Sequence, residues 1–136
     1  MKLARTNAII PLPTSADYPL AGKEGYAVAL IDGYASIQDD AAGTPFGVLL
    51  EAGDVPGKAS VAVLAGGLAG TVRVKLVQAV EAIGTDLQLV GSAGGCGFGP
   101  DAGAGERVVT AQALETGAIG ELIEAVLFKP KYYPAA

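Results

Sequence analysis

Along most of the chain the apolar positions come in short runs closed by turn residues, not in helical stripes. Tyr26–Ile31 is one such run, and Asp32-Gly33 after it is a two-residue hairpin signal leading into Tyr34–Gln38. Asp39–Gly43 is a turn, followed by Phe46–Glu51; Pro56-Gly57 precedes Ala59–Leu64, which Gly66-Gly67 ends. Thr71–Val77 alternates most cleanly, with Val72, Val74 and Leu76 on one face and Arg73 and Lys75 on the other. Leu87–Val90 and Val108–Leu114 are further strand candidates. Turn signals at this spacing predict an all-β fold, a small sandwich or barrel.

Two segments are ambiguous. Val77–Ile83 has helix formers but spans only about two turns before Gly84. Glu121–Phe128 has good helical propensity, with Leu122, Ile123, Val126 and Leu127 sharing a helical face. An internal repeat argues for a strand at the second place. Phe46–Leu64 resembles Thr110–Leu127: Leu50-Glu51 matches Leu114-Glu115, Gly53 matches Gly117 and Val55 matches Ile119. After a one-residue slip, Gly57 matches Gly120 and Ala62-Val63-Leu64 matches Ala125-Val126-Leu127. The first copy is β-branched and alternating, so both copies read as strand–turn–strand. The C-terminal strand is expected to bury Leu122, Val126 and Phe128, each worth about 1.5–3 kcal/mol when covered, against a propensity gain of a few tenths per residue. Ile123, Ala125 and Leu127 would then face an arm or a neighbouring subunit.

Residues 1–24 show neither period. Pro11, Pro13 and Pro19 remove backbone donors and favour extended neighbours, so the expectation is an extended N-terminal arm. Free arms are polar as a rule, whereas this one carries Leu3, Ile9, Ile10, Leu12, Tyr18 and Leu20, so it is expected to lie either on its own domain or on a partner, and in the second case these six are the candidate partner-contact residues. The expected organisation is an arm at 1–24, a β domain at 25–128 and a C-terminal tail at 129–136.

Composition narrows the function. The chain has 136 residues, 51% of them hydrophobic and only 17% charged, so part of its surface is expected to be covered by partners, its own copies included. A net charge of −5 with nine scattered basic residues disfavours nucleic acid, whose recognition rests on neutralising phosphates. No window of about 18 apolar residues exists for a membrane-spanning helix, and no signal-peptide pattern is present, so a soluble protein is expected.

Little chemistry survives. The stretch Gly91–Glu106 holds seven glycines, and Gly97–Ala102 formally fits the G-x-G-x-x-G/A dinucleotide fingerprint. That fingerprint needs a helix whose N-terminus meets the pyrophosphate, and Asp101–Gly105 after Pro100 cannot open one. The stretch reads instead as slack between strands, or as a loop that lets another backbone approach closely. There is no histidine, and Cys96 is the single cysteine, so neither a zinc set nor an activated nucleophile can be assembled. No catalytic, cofactor-binding or metal residues are assigned, and a non-enzymatic protein is expected. Lys58 after Pro56-Gly57 lacks the context of a biotin or lipoyl carrier lysine.

The stretches Gly70–Gly95 and Glu106–Pro130 resemble the capsid cement, or decoration, proteins of tailed bacteriophages. The likeness lies in a basic strand, the turn Ala82–Leu87, a glycine-rich loop and the corner Val109–Gly120 feeding a last strand, Leu122–Phe128. An earlier corner, Gly47–Glu51, has the same style, and the resemblance covers roughly residues 25–128. It implies a structural protein on the outer surface of the virion capsid, bound to the major capsid protein, bridging its subunits and self-associating, often as trimers. A head-fibre base or tail-tube subunit is the alternative virion role, and a small β carrier or binding domain the alternative outside it.

Overall fold

The computed structural model describes residues 9–64 and 71–135. It is all-β, with ten strands among the described residues: β1 (Ile9–Pro13), β2 (Ala27–Ile31), β3 (Tyr34–Ile37), β4 (Gly47–Glu51), β5 (Lys58–Val63), β6 (Val72–Lys75), β7 (Asp86–Val90), β8 (Gly97–Pro100), β9 (Arg107–Ala113) and β10 (Leu122–Tyr133). They form two five-stranded antiparallel sheets, ordered β1-β5-β4-β2-β3 and β6-β10-β9-β7-β8. Shifting every label of the first sheet by five reproduces the second.

The duplication extends to single hydrogen bonds. The N–H of Thr14 donates to Gly57 at 3.0 Å, as that of Leu76 does to Glu121 at 2.9 Å. Gly25 donates to Leu49 at 2.8 Å, as Gly84 does to Ala113 at 2.8 Å; Gln38 donates to Ala27 at 3.0 Å, as Asp101 does to Asp86 at 2.8 Å. Gly25 and Gly84 both sit at positive φ, 88° and 90°, where a side chain is strained. The chain is therefore two tandem copies of one β module. Because Val48 pairs with Ala62 and Gln112 with Val126, the hairpins superpose without the one-residue slip read from the sequence.

Module edges are finished differently. The second sheet curls shut, with a parallel bridge between Leu76 and Phe98 and the Val77 N–H on the Phe98 carbonyl at 2.9 Å. In the first, Thr14 directs its N–H at the β4–β5 hairpin, so by alternation Pro11 and Pro13 turn towards the free edge of β1. There a missing N–H leaves no ladder bond unmade and offers none to another strand.

The first module encloses Leu12, Leu20, Val28, Ala35, Leu49, Ala59 and Val61. Its other face carries the cross-strand row Ala27–Val48–Ala62, which joins the second module's core with Leu64. The equivalent row of the second module is Asp86–Gln112–Val126, whose Asp86 and Gln112 are exposed. The same fold position is thus apolar where the modules pack and polar where water meets it.

Both ambiguous segments are non-helical. Val80 exchanges backbone bonds with Gly117, at 2.9 and 3.0 Å, inside a loop. Glu121–Phe128 lies in β10 and its approach, but the face expected to be buried is the wrong one. Ile123, Ala125 and Leu127 point into the core, while Leu122 is exposed and Val126 and Phe128 are only half-buried. Glu124 decides this, since it shares the Leu122 face and its carboxylate must stay wet, accepting from Thr71 Oγ1 at 2.6 Å and Arg73 Nε at 3.2 Å.

The expected boundaries at 24 and 129 are also corrected. From Ile9 the supposed arm is β1 and the loop behind it, fully part of the first module. The supposed tail continues β10, with Lys131, Tyr132 and Tyr133 paired to Val109, Val108 and Arg107 past a register shift at Leu127. Pro130 falls within that irregularity, where the Thr110 hydroxyl satisfies the Phe128 carbonyl at 2.8 Å.

Candidate interaction surface

Leu3 lies outside the described residues. The other five candidate contact residues do not form one surface. Leu12 and Leu20 are 8% and 2% exposed and belong to the first module's own core, so no partner reaches them. Ile10 packs half-buried against the same core. Ile9, 40% exposed, lies on the row of Ala62, and Tyr18 donates its hydroxyl to Asp32 Oδ2 at 2.9 Å, bracing the β2–β3 hairpin. Ile10, Leu12 and Leu20 are thus explained by folding before binding is invoked.

The glycine-rich stretch clasps the two modules together. Its first part, Gly91–Cys96, replaces the Asp32-Gly33 turn of the first module with a six-residue connection between β7 and β8. Lys23 Nζ donates to the Gly94 carbonyl at 2.7 Å, Ala27 N–H to Cys96 at 2.9 Å, and Cys96 N–H to Gln38 at 2.8 Å. A Cβ on Gly95, at φ 119°, would stand 2.2 Å from Cγ2 of Ile37. Close approach, not slack, is why glycine is needed. The formal dinucleotide fingerprint is strand β8 followed by a turn, in which Asp101 accepts from Gly103 N–H at 3.0 Å and pairs with Arg107 at 2.5 Å.

Cys96 is enclosed at this seam. Burial, reinforced by the Asp39 and Asp40 carboxylates, pushes its thiol up to about 11. A protonated, covered thiol is a small hydrophobe and a poor nucleophile. Beside the seam, a cleft of about 360 Å³ is lined by Asp17, Tyr18, Lys23, Ile31 and Asp39 among others. Its single cation is already committed to Gly94 and to the Tyr26 ring, 5.3 Å from the centroid. Among the described residues no three His, Cys, Asp or Glu side chains converge as a metal site would require.

The most exposed large apolar side chains lie elsewhere. Ile83 and Ile119 are 69% and 70% exposed, on segments that run together: Gly84 is bonded to Ala113, and Val80 to Gly117. Leu114, between these points, is exposed as well. In the first module the position of Ile119 is taken by Val55, 50% exposed, beside an apolar groove of about 230 Å³ lined by Ala16, Pro19, Ala21 and Ala52. The two ends approach each other at the seam, where Gly25 accepts from Lys75 N–H at 3.0 Å and Leu50 and Leu122 line a shared cleft. These residues were not among the sequence candidates. A signal was present: the tripeptide Ala-Ile-Gly occurs at both 82–84 and 118–120, putting a bulky β-branched residue into two turns where polar residues are the rule. Comparison with protein-family profiles, curated proteins and solved structures found no match.

Proposed function

We propose that the chain is a non-catalytic structural protein of a phage virion, a decoration protein that binds the outside of the head and stabilises it by bridging capsid subunits. The observation that carries this reading is the tandem module itself: two copies of one β unit, each projecting a branched aliphatic residue from its β-hairpin end. A protein that holds a repeating shell needs stiffness and repeated contact surface, and two linked contacts gain by effective concentration without any new chemistry. The resemblance points the same way, and its Gly47–Glu51 and Val109–Gly120 corners both include the equivalent strands β4 and β9 of the two modules. Lys58, the residue a carrier domain would modify, is the first residue of β5 opposite Pro13 and not a turn tip, so nothing favours that alternative.

Quantitative mass spectrometry of purified virions tests the proposal. A copy number near that of the major capsid protein is expected; a few tens of copies would indicate a fibre or tail part, and absence would overturn the reading. Light scattering of the isolated protein tests the accompanying expectation of self-association, with trimers expected and a monomer at all concentrations refuting it.

A further inference from the structure

We infer that the β2–β3 hairpin end of the first module, with Leu30, Ile31 and Tyr34 around its turn, is a surface by which this protein docks on a partner, and that its occupant is a sheet face of small apolar side chains on another protein. On the decoration reading that protein is the shell subunit; only this identity rests on that reading, since the surface follows from comparing the two modules.

The duplicated fold shows what the same hairpin does in its other copy. Leu30 pairs with Ala35 and Ile31 with Tyr34, as Leu89 pairs with Phe98 and Val90 with Gly97, so the β7–β8 hairpin is the counterpart. That counterpart is docked. Leu89 and Phe98 share one apolar cluster with Ala27, Val48, Ala62 and Leu64 of the first module, and the connection behind them is bonded to Lys23, Ala27 and Gln38. Leu89 is 1% exposed there, whereas Leu30, at the equivalent place, is 45% exposed. Ile31 and Tyr34 are exposed beside it, directly opposite one another across the ladder. Alternation puts Leu30 on the other side from this pair, so the tip meets water on both faces. Scattered single apolar residues need no explanation; three around one two-residue turn, at a place that is an interface in the other copy, do. The turn is also fixed in advance. Asp32 and Gly33 sit at φ 52° and 82°, the positive values of a type I′ turn, and Tyr18 donates to Asp32 at 2.9 Å with its ring 6.2 Å from that of Tyr34. Such a tip docks with little ordering cost.

The surface that covers the docked copy identifies the occupant. It is the cross-strand row Ala27–Val48–Ala62, whose short side chains let a leucine seat against the sheet. A second copy of this chain cannot supply that row, because its own is buried between its modules. The equivalent row of its second module presents exposed Asp86 and Gln112, polar groups that a docked leucine would strip of water. The occupant is therefore a different protein.

Co-sedimentation of the purified protein with undecorated heads tests this. Leu30→Ser should keep the melting temperature, because the side chain is already nearly half exposed, and should weaken binding about tenfold or more, by the same factor at low and high salt. Leu89→Ser, at the docked position, should instead lower the melting temperature by about 10 °C or more. Gln112→Ala, on the polar row, should leave binding unchanged. Leu30→p-benzoylphenylalanine, irradiated on the head, should cross-link to a strand of the shell subunit rich in Ala, Val or Gly. If the wild type does not bind heads, the decoration reading fails, and the shell subunit as occupant fails with it. If the wild type binds and Leu30→Ser binds equally well, or Gln112→Ala loses as much, the surface is misplaced while the function stands. Equal melting temperatures of the Leu30 and Leu89 variants would overturn the comparison of the hairpins. Cross-links to a second copy of this chain, or a binding loss that disappears at high salt, would overturn the apolar, heterologous occupant.

Discussion

Replacing Gly95 with alanine asks whether the glycine-rich stretch is slack or a clasp. The new methyl would lie 2.2 Å from Cγ2 of Ile37 and 3.5 Å from the Gln38 carbonyl oxygen. Cγ2 is fixed directly on a branched Cβ, so it cannot swing aside without turning the whole side chain. Relief by such shifts costs about 1–3 kcal/mol in a packed site. Holding alanine at φ 119° adds about 1–2 kcal/mol. The expected loss is therefore about 2–5 kcal/mol of unfolding free energy. Two neighbours separate the causes. Gly103 has φ 75° with nothing within 4 Å, so its alanine variant should lose only the backbone part, about 1–2 kcal/mol. Gly91 has neither constraint and should change by less than about 0.5 kcal/mol. Urea denaturation of the three variants, followed by far-ultraviolet circular dichroism, gives the differences directly. Equal stability of all three, or a larger loss at Gly91 than at Gly95, would refute the clasp.

Further consequences can be checked in the same protein. Val48→Gln places the second module's residue under the module contact and should cost about 3 kcal/mol or more, while Gln112→Val, on the exposed row, should stay within about 1 kcal/mol; similar effects at both sites would contradict the packing of the sheets. Cys96 should resist thiol reagents at pH 8 until the protein unfolds, and rapid labelling of the native state would disprove its enclosure. Because its folded value is raised to about 11 from 9.0, stability should be flat below pH 8.5 or so and fall between about pH 9 and 11, where only the unfolded thiol ionises; Cys96→Ala should remove that fall. Glu124 is held below the ordinary carboxylate range by the Thr71 hydroxyl and Arg73, so the stabilisation it adds is present above that range and lost as pH falls through its lowered value. Glu124→Gln should flatten the acid limb of the stability profile, and an unchanged limb would show the pair to be idle.

Sequence pattern alone determined the fold class, most strand positions and the hairpin at Asp32-Gly33, because alternation and turn chemistry act over a few residues and are written locally. Even the duplication was partly legible, in the paired Leu-Glu and Gly residues of the two hairpins. Which face of β10 is buried was not, although Glu124 marked it; six apolar residues among the seven of Leu122–Phe128 leave the two faces almost equal in hydrophobicity, and one carboxylate breaks the tie only when Thr71 and Arg73 are beside it. The N-terminal apolar residues could be read as a binding arm because nothing local says that β5 lies next to β1. Likewise, the glycines of 91–97 look like slack until Ile37, Gln38 and Lys23 arrive from a distant part of the chain. Local rules tell each segment what shape to take; which surfaces are spent inside the molecule and which remain at its ends, as Ile83 and Ile119 do, depends on contacts between residues far apart in sequence, and only the tertiary structure decides them.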